Sequence, residues 1–228
     1  MKKYIWVFAI ILFTTNLYAQ KKETRKVGDF SYVSMGINAD VTIKQGSKTE
    51  LIIEGDEDDL EDIETYVTGN KLKIRTENNS WWGKSNSKVK IYITLKEFTG
   101  ASVSGSGDIV SSGTLKGGNI DLGVSGSGDL ELDLDVADVD CGISGSGSVY
   151  LNGKGKSASL SISGSGKLDA SEFEIETINI RISGSGSASV YATKEIDSRI
   201  SGSGTIRYKG DPDKVSNHSS GSGKLRKM

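Results

Sequence analysis

From residue 100 onward, apolar residues recur at every second position in short runs. Ile120, Leu122 and Val124 make one run, and Leu130, Leu132 and Leu134 make the next. Later come Leu160 and Ile162 with Leu168 beyond, then Ile178, Ile180 and Ile182 with Val190 beyond. Period two predicts strands buried on one face. Each run meets a copy of Ser-Gly-Ser-Gly, and the seven copies begin at Ser104, Ser125, Ser144, Ser163, Ser183, Ser201 and Ser220. Their spacings are 21, 19, 19, 20, 18 and 19 residues. A period near 20 predicts a stack of similar coils, with one coil per repeat. A flexible Gly/Ser linker would not hold the alternation in step with copy after copy. At ~4.8 Å per coil, seven coils would make a rod section of roughly 30 Å.

The phase of the alternation bears on the glycines. Counting by twos from Ile162 reaches Gly164, Gly166 and Leu168, whereas Ser163, Ser165 and Lys167 take the opposite parity. A strand running through the motif would turn both glycines to the core and the serines to solvent. A sharp bend with glycine at positive φ is the other reading. The expectation is a kinked strand that contains the motif. Fourteen glycines are involved: Gly105, Gly107, Gly126, Gly128, Gly145, Gly147, Gly164, Gly166, Gly184, Gly186, Gly202, Gly204, Gly221 and Gly223. Each costs a strand roughly 0.5–1 kcal/mol relative to alanine, so a steric reason must keep them, such as close approach of the opposite wall. The last coil reads as a cap, because its inward parity keeps Leu225 but carries Asn217, Ser219 and Lys227.

The preceding region is strand-rich without the tetrapeptide. Val41/Ile43, Leu51/Ile53, Leu72/Ile74 and Val89/Ile91/Ile93/Leu95 alternate, separated by turn signals such as Gln45-Gly46-Ser47 and Thr68-Gly69-Asn70. Leu60, Ile63 and Val67 fall at helical spacing after the acids Asp56 to Asp59, which predicts one short helix or helical turn within 56–67. The expected fold class is all-β: a right-handed parallel β-helix or solenoid with coils of about 20 residues, preceded by an irregular N-terminal β portion with one short helix. The expected divisions are a signal peptide over 1–19, a tail over 20–29, the N-terminal β portion over 30–100 and the repeats over 101–228.

Specific residues in that N-terminal portion carry a resemblance. Met35-Gly36-Ile37-Asn38-Ala39 precedes Val41-Thr42-Ile43, then come Leu51-Ile52-Ile53-Glu54-Gly55 and Leu72-Lys73-Ile74. Together with the glycine-rich coils, these resemble the head GIN domain family, auto-transporter adhesins common among secreted proteins of Bacteroidetes. The resemblance spans roughly residues 30–225. It implies a β-solenoid and an adhesin-like role, and it brings no active-site residues with it.

The N-terminus adds a compartment. Lys2 and Lys3 precede an apolar stretch from Ile5 to Phe13 and a Leu17-Tyr18-Ala19 cleavage site, the pattern of a secretory signal peptide. The apolar stretch is short for a membrane span, and no transmembrane segment is expected after it. Export to the periplasm, outer-membrane surface or exterior follows. Setting aside Lys2 and Lys3 leaves 26 basic and 30 acidic residues, a net charge of −4, which is no footprint for nucleic acid. Cys141, the single cysteine, shares the inward parity of Val139 and Ile143 and reads as a small core residue.

Candidate chemistry is sparse. His218 is the one histidine, so neither a His-pair metal site nor a well-supported catalytic triad is available. Asp129, Glu131, Asp133 and Asp135 share outward parity, and Asp108 should stack beside Asp129. Repulsion between them could be offset by Ca²⁺ on Asp108, Asp129 and Glu131, or the strand could simply be a solvated charged face. No other cofactor is expected. Trp81 and Trp82 sit in a polar stretch, where they could stack on sugar rings or fold back as a plug. Outward serines such as Ser163 and Ser165, stacked on Ser144/Ser146 and Ser183/Ser185, would make a hydroxyl grid. The expected function is a non-catalytic envelope protein, a binding, adhesin-like or scaffold module for an unknown envelope protein or glycan. The alternative is a carbohydrate-binding or carbohydrate-active β-helix protein.

Overall fold

The computed structural model describes residues 20–76 and 89–228. The alternating runs become strands whose inward residues form one continuous core. The N-terminal part contains β1 (Lys21–Arg25), β2 (Tyr32–Met35), β3 (Ala39–Gln45), β4 (Glu50–Gly55), helix α1 (Glu57–Glu61), β5 (Ile63–Thr68), β6 (Lys71–Thr76) and β7 (Val89–Leu95). The coils follow as β8 (Gly100–Gly105), β9 (Asp108–Ser111), β10 (Leu115–Lys116), β11 (Asn119–Gly126), β12 (Asp129–Asp135), β13 (Asp138–Gly145) and β14 (Ser148–Gly164). They end with β15 (Lys167–Gly184), β16 (Ser187–Gly202), β17 (Thr205–Lys209), β18 (Lys214–Gly221) and β19 (Lys224–Lys227).

The repeat becomes a parallel β-solenoid of about seven turns spaced about 19 residues apart. On one face β11 lies between β8 and β13, with Leu122 beside Ala101 on one side and Cys141 on the other. On the next face β12 lies between β9 and β14, with Leu130 beside Ile109 and Val149. The register holds through the later coils: Ile162, Ile182 and Ile200 are successive neighbours, and each is about 2% exposed. Every coil thus adds a layer of aliphatic side chains to the same column, where each buried chain contributes about 1.5–3 kcal/mol.

This ladder continues into the N-terminal region. β2 pairs in parallel with β8, matching Met35 to Val103, and β3 pairs in parallel with β9, matching Asp40 to Asp108. Gly36-Ile37-Asn38-Ala39 therefore turns the corner that Ser104-Gly105-Ser106-Gly107 turns one coil later. β6 and β7 add one further parallel layer. Beyond them the pairing becomes antiparallel, with β4 on β7, β1 on β4 and β5 on β6. Arg25 in β1 ties this end together. Its guanidinium donates to the carbonyl of Leu60 at 2.6 Å, a group left over at the end of α1, and to that of Ile63 at the start of β5.

The short helix expected within 56–67 is α1, which stops at Glu61, and Ile63–Thr68 is strand β5. Thr65, Tyr66, Val67 and Thr68 are β-branched or aromatic and suit a strand, and β6 supplies the backbone partners. One expectation is corrected: no strand runs through the tetrapeptide, whose first Ser-Gly closes one strand and whose second Ser-Gly makes the corner before the next. β14 ends at Gly164 and β15 begins at Lys167.

The two glycines of a corner have different reasons to be glycine. Gly164 has φ +112°, and a Cβ there would lie 2.7 Å from the carbonyl oxygen of Gly145 in the preceding coil. That oxygen accepts the Ser165 N–H at 3.0 Å, so corner stacks on corner through the backbone. Gly166 alone faces the core. A Cβ there would meet Ile143 Cγ2 at 2.5 Å and the Gly147 carbonyl oxygen at 3.0 Å. The first glycine answers to the neighbouring coil, and the second answers to the packed interior.

Candidate functional site

Because coils stack in register, outward side chains form columns along the rod. Ser104, Ser125, Ser144, Ser163, Ser183, Ser201 and Ser220 are successive neighbours in one such column. All seven are exposed. Their hydroxyls have no hydrogen-bond partner among the described residues. The expected hydroxyl ladder is therefore present geometrically, and its members do not bond to one another.

Two residues earlier along each strand runs a second column: Ser102, Gly123, Gly142, Ser161, Arg181, Arg199 and His218. It is small and neutral in the early coils and becomes cationic in the later ones. Beside it the surface forms a shallow, open groove of about 750 Å³, lined by Arg181, Arg199, His218 and the serines Ser163, Ser183, Ser201 and Ser220, among others. Asp197 holds Arg199, with Nη2 3.0 Å from Oδ2. Arg181 has no ion-pair partner among the described residues. Like charges on facing positions of neighbouring strands are destabilising, and Asp197 offsets that repulsion for one arginine only.

The acidic residues take a different arrangement. Asp40, Asp108 and Asp129 occupy adjacent rungs, as expected for Asp108 and Asp129. The Asp129 carboxylate accepts the Ser148 N–H at 2.8 Å. Glu131 stands exposed between Val110 and Tyr150, and Asp135 faces Lys154 at 3.7 Å. Among the described residues no three His, Cys, Asp or Glu side chains converge to hold a metal ion. Asp108 and Asp129 are thus stacked along the rod, and Glu131 stands two residues further along the strand of Asp129.

Other candidates fall as follows. Trp81 and Trp82 lie outside the described residues, as does the 1–19 segment. Cys141 is fully buried, and burial pushes its thiol up to about 12, which removes it as a nucleophile near neutral pH. Asn217 does belong to the last coil's closure: Ser198, buried completely, donates to Asn217 Oδ1 at 2.8 Å and to the Ser216 carbonyl at 3.1 Å. Arg181 and Arg199 were not singled out in the sequence. The signal was there, since both stand two residues before a Ser-Gly-Ser-Gly, in the place that Gly123, Gly142 and Ser161 hold earlier.

Residues 29–212 match the family described as "Putative auto-transporter adhesin, head GIN domain". The chain belongs to this family. The Gly36-Ile37-Asn38 turn placed above lies within the matched residues. Among solved structures, a putative adhesin from Bacteroides fragilis is similar at 26% identity and TM-score 0.85, covering 92% of this chain and 97% of that one. A putative lipid binding protein from Parabacteroides distasonis is similar at 28% identity and TM-score 0.75, covering 92% and 96%. A putative adhesin from Parabacteroides merdae shares the fold at 22% identity and TM-score 0.71, covering 92% and 96%. The curated proteins gave no match. Among the described residues of this head GIN protein, no helix is long and apolar enough to cross a membrane.

Proposed function

We propose that this head GIN protein is exported and works at the cell envelope as a non-catalytic, adhesin-like binding module. The observation that carries the reading is the parallel register kept from β2 to β18 along the stretch that leads into each corner, which fixes outward side chains in columns. A surface of that kind suits a partner with its own repeat, because many weak contacts made at once add up to strong retention. The family description and the signal-like pattern of residues 1–19 support the envelope location. The test is capture: beads carrying the purified protein are mixed with envelope fragments from the cells that produce it. Retention several-fold above beads carrying the unfolded protein is expected. Equal retention on both, or a protein confined to the cytosolic fraction of those cells, would remove the reading.

A further inference from the structure

Charge is sorted along the rod, even though the chain as a whole is slightly acidic. Residues 101–140 carry eight Asp/Glu against one Lys, whereas residues 181–228 carry nine Lys/Arg against four Asp/Glu. Single columns show the same change of sign. Asp108 and Asp129 are followed along their column by Ser148, Lys167, Ser187, Thr205 and Lys224. Glu131, Tyr150, Asp169, Ser189, Arg207 and Arg226 run from acid to base in the next. Such a field repels an anionic chain from the early coils and draws it to the later ones. The groove over Arg181, Arg199 and His218 lies on those later coils.

We propose that this groove binds a linear acidic polysaccharide, bearing carboxylate or sulfate groups, laid along the axis of the coil stack. The proposal names a ligand class for the binding module proposed above and rests on that reading. Arg181, Arg199 and His218 present a cation or a ring nitrogen once per coil, at a step of ~4.8 Å. A ligand following the axis meets each in turn. The Arg fork fits carboxylate and sulfate oxygens two at a time, and an anion between Arg181 and Arg199 relieves the repulsion that Asp197 leaves uncompensated. Parallel to the cations run the hydroxyls of Ser163, Ser183, Ser201 and Ser220, unpartnered within the described residues and able to bond sugar hydroxyls.

Other anionic partners fit less well. A single-stranded nucleic acid uses large aromatic side chains for base stacking, and no Phe, Tyr or Trp lines the groove. A lipid surface is broad, whereas the cations here follow one column along a shallow depression. One isolated phosphate would use a single rung and leave the column without a reason.

The test is a titration of the purified protein with polygalacturonate and chondroitin sulfate, with neutral dextran, phosphatidylglycerol vesicles and oligo-dT as comparisons. Two double variants accompany it. Arg181→Ala/Arg199→Ala removes the groove's arginines, and Lys44→Ala/Lys48→Ala removes the same charge from the exposed surface at the end of β3 and just beyond it. Both should keep the parent's thermal midpoint. Binding to at least one acidic glycan is expected, with dextran silent. The groove variant should bind roughly tenfold or more weakly, the scale of losing charge-assisted hydrogen bonds, while the lysine variant stays within about twofold. Equal loss in both variants would overturn the proposal. So would silence with both acidic glycans, or groove-dependent binding seen only with vesicles or oligo-dT. If the glycans are silent while protein-coated beads still retain envelope fragments, the ligand class fails and the binding module stands.

Discussion

The head corner and the repeat corners make the same turn with different chemistry. Gly36-Ile37-Asn38-Ala39 aligns with Ser104-Gly105-Ser106-Gly107 through the flanking pairs Met35–Val103 and Asp40–Asp108. In the head, Ile37 and Ala39 are buried members of the core. In the repeats both places are glycine. The difference comes from what lies on the N-terminal side of each corner. A Cβ on Gly107 would come within 2.6 Å of the Ile37 carbonyl oxygen and 2.7 Å of that of Ala39. Each later corner presses in the same way on the one that follows it. The head corner instead stacks on the β6–β7 layer, where twelve residues separate the strands in place of a four-residue turn. Glycine here is a property of the stack more than of the turn.

That contrast can be broken most directly at Gly164. Its positive φ and the Gly145 oxygen leave no place for a branched side chain, so Gly164→Val should cost roughly 3 kcal/mol or more. Ser163→Val, one residue away but outward, should stay within about 0.5 kcal/mol. Urea midpoints measure both, and similar tolerance would remove the stacking explanation. Gly166→Ala should cost less, about 1–3 kcal/mol of overpacking, since the nearest obstacle is the Ile143 side chain. Its cost should shrink in an Ile143→Ala background. Simple additivity of the two would show that Ile143 does not define the slot.

Ala39→Gly sharpens the comparison from the other side. It should destabilise by about 1 kcal/mol, because a buried methyl group is lost and the unfolded chain gains freedom. A stabilised variant would mean that the corner itself prefers glycine. The smallest effect concerns Cys141. Iodoacetamide should leave the native thiol untouched at pH 8 and modify it after unfolding. Its raised folded pKa adds a pH dependence: stability is intact below the unfolded thiol's value of about 8.5 and falls as pH rises toward 12. A Cys141→Ala variant with the same alkaline profile would assign that fall to other groups.

The alternation and the 20-residue period made the solenoid legible before any coordinates, because inward aliphatics have no other use for such strict parity. Parity also placed Cys141 inside and Asp108 beside Asp129. It misjudged Gly164 for a physical reason. Counting by twos assumes an extended backbone, and the positive φ at the first glycine breaks the count while leaving Gly166 on its inward place. The short helix was legible too, although of Leu60, Ile63 and Val67 at helical spacing only Leu60 lies in α1, and Ile63 is buried as part of β5. The groove was harder to see. Attention settled on the invariant Ser-Gly-Ser-Gly, whereas Arg181, Arg199 and His218 stand in the column beside it that varies from coil to coil.

Strands that lie across the axis also decide how the molecule carries load. A pull across the two ends of the stack would open the ladders of one coil before reaching the next, so the protein should extend in steps and not snap as a unit. Gly145 and Gly164 are 19 residues apart, and releasing a coil of that length frees about 65 Å of chain. A rod of roughly 30 Å would then behave as a tether with several stored lengths, and single-molecule force traces should show evenly spaced rips.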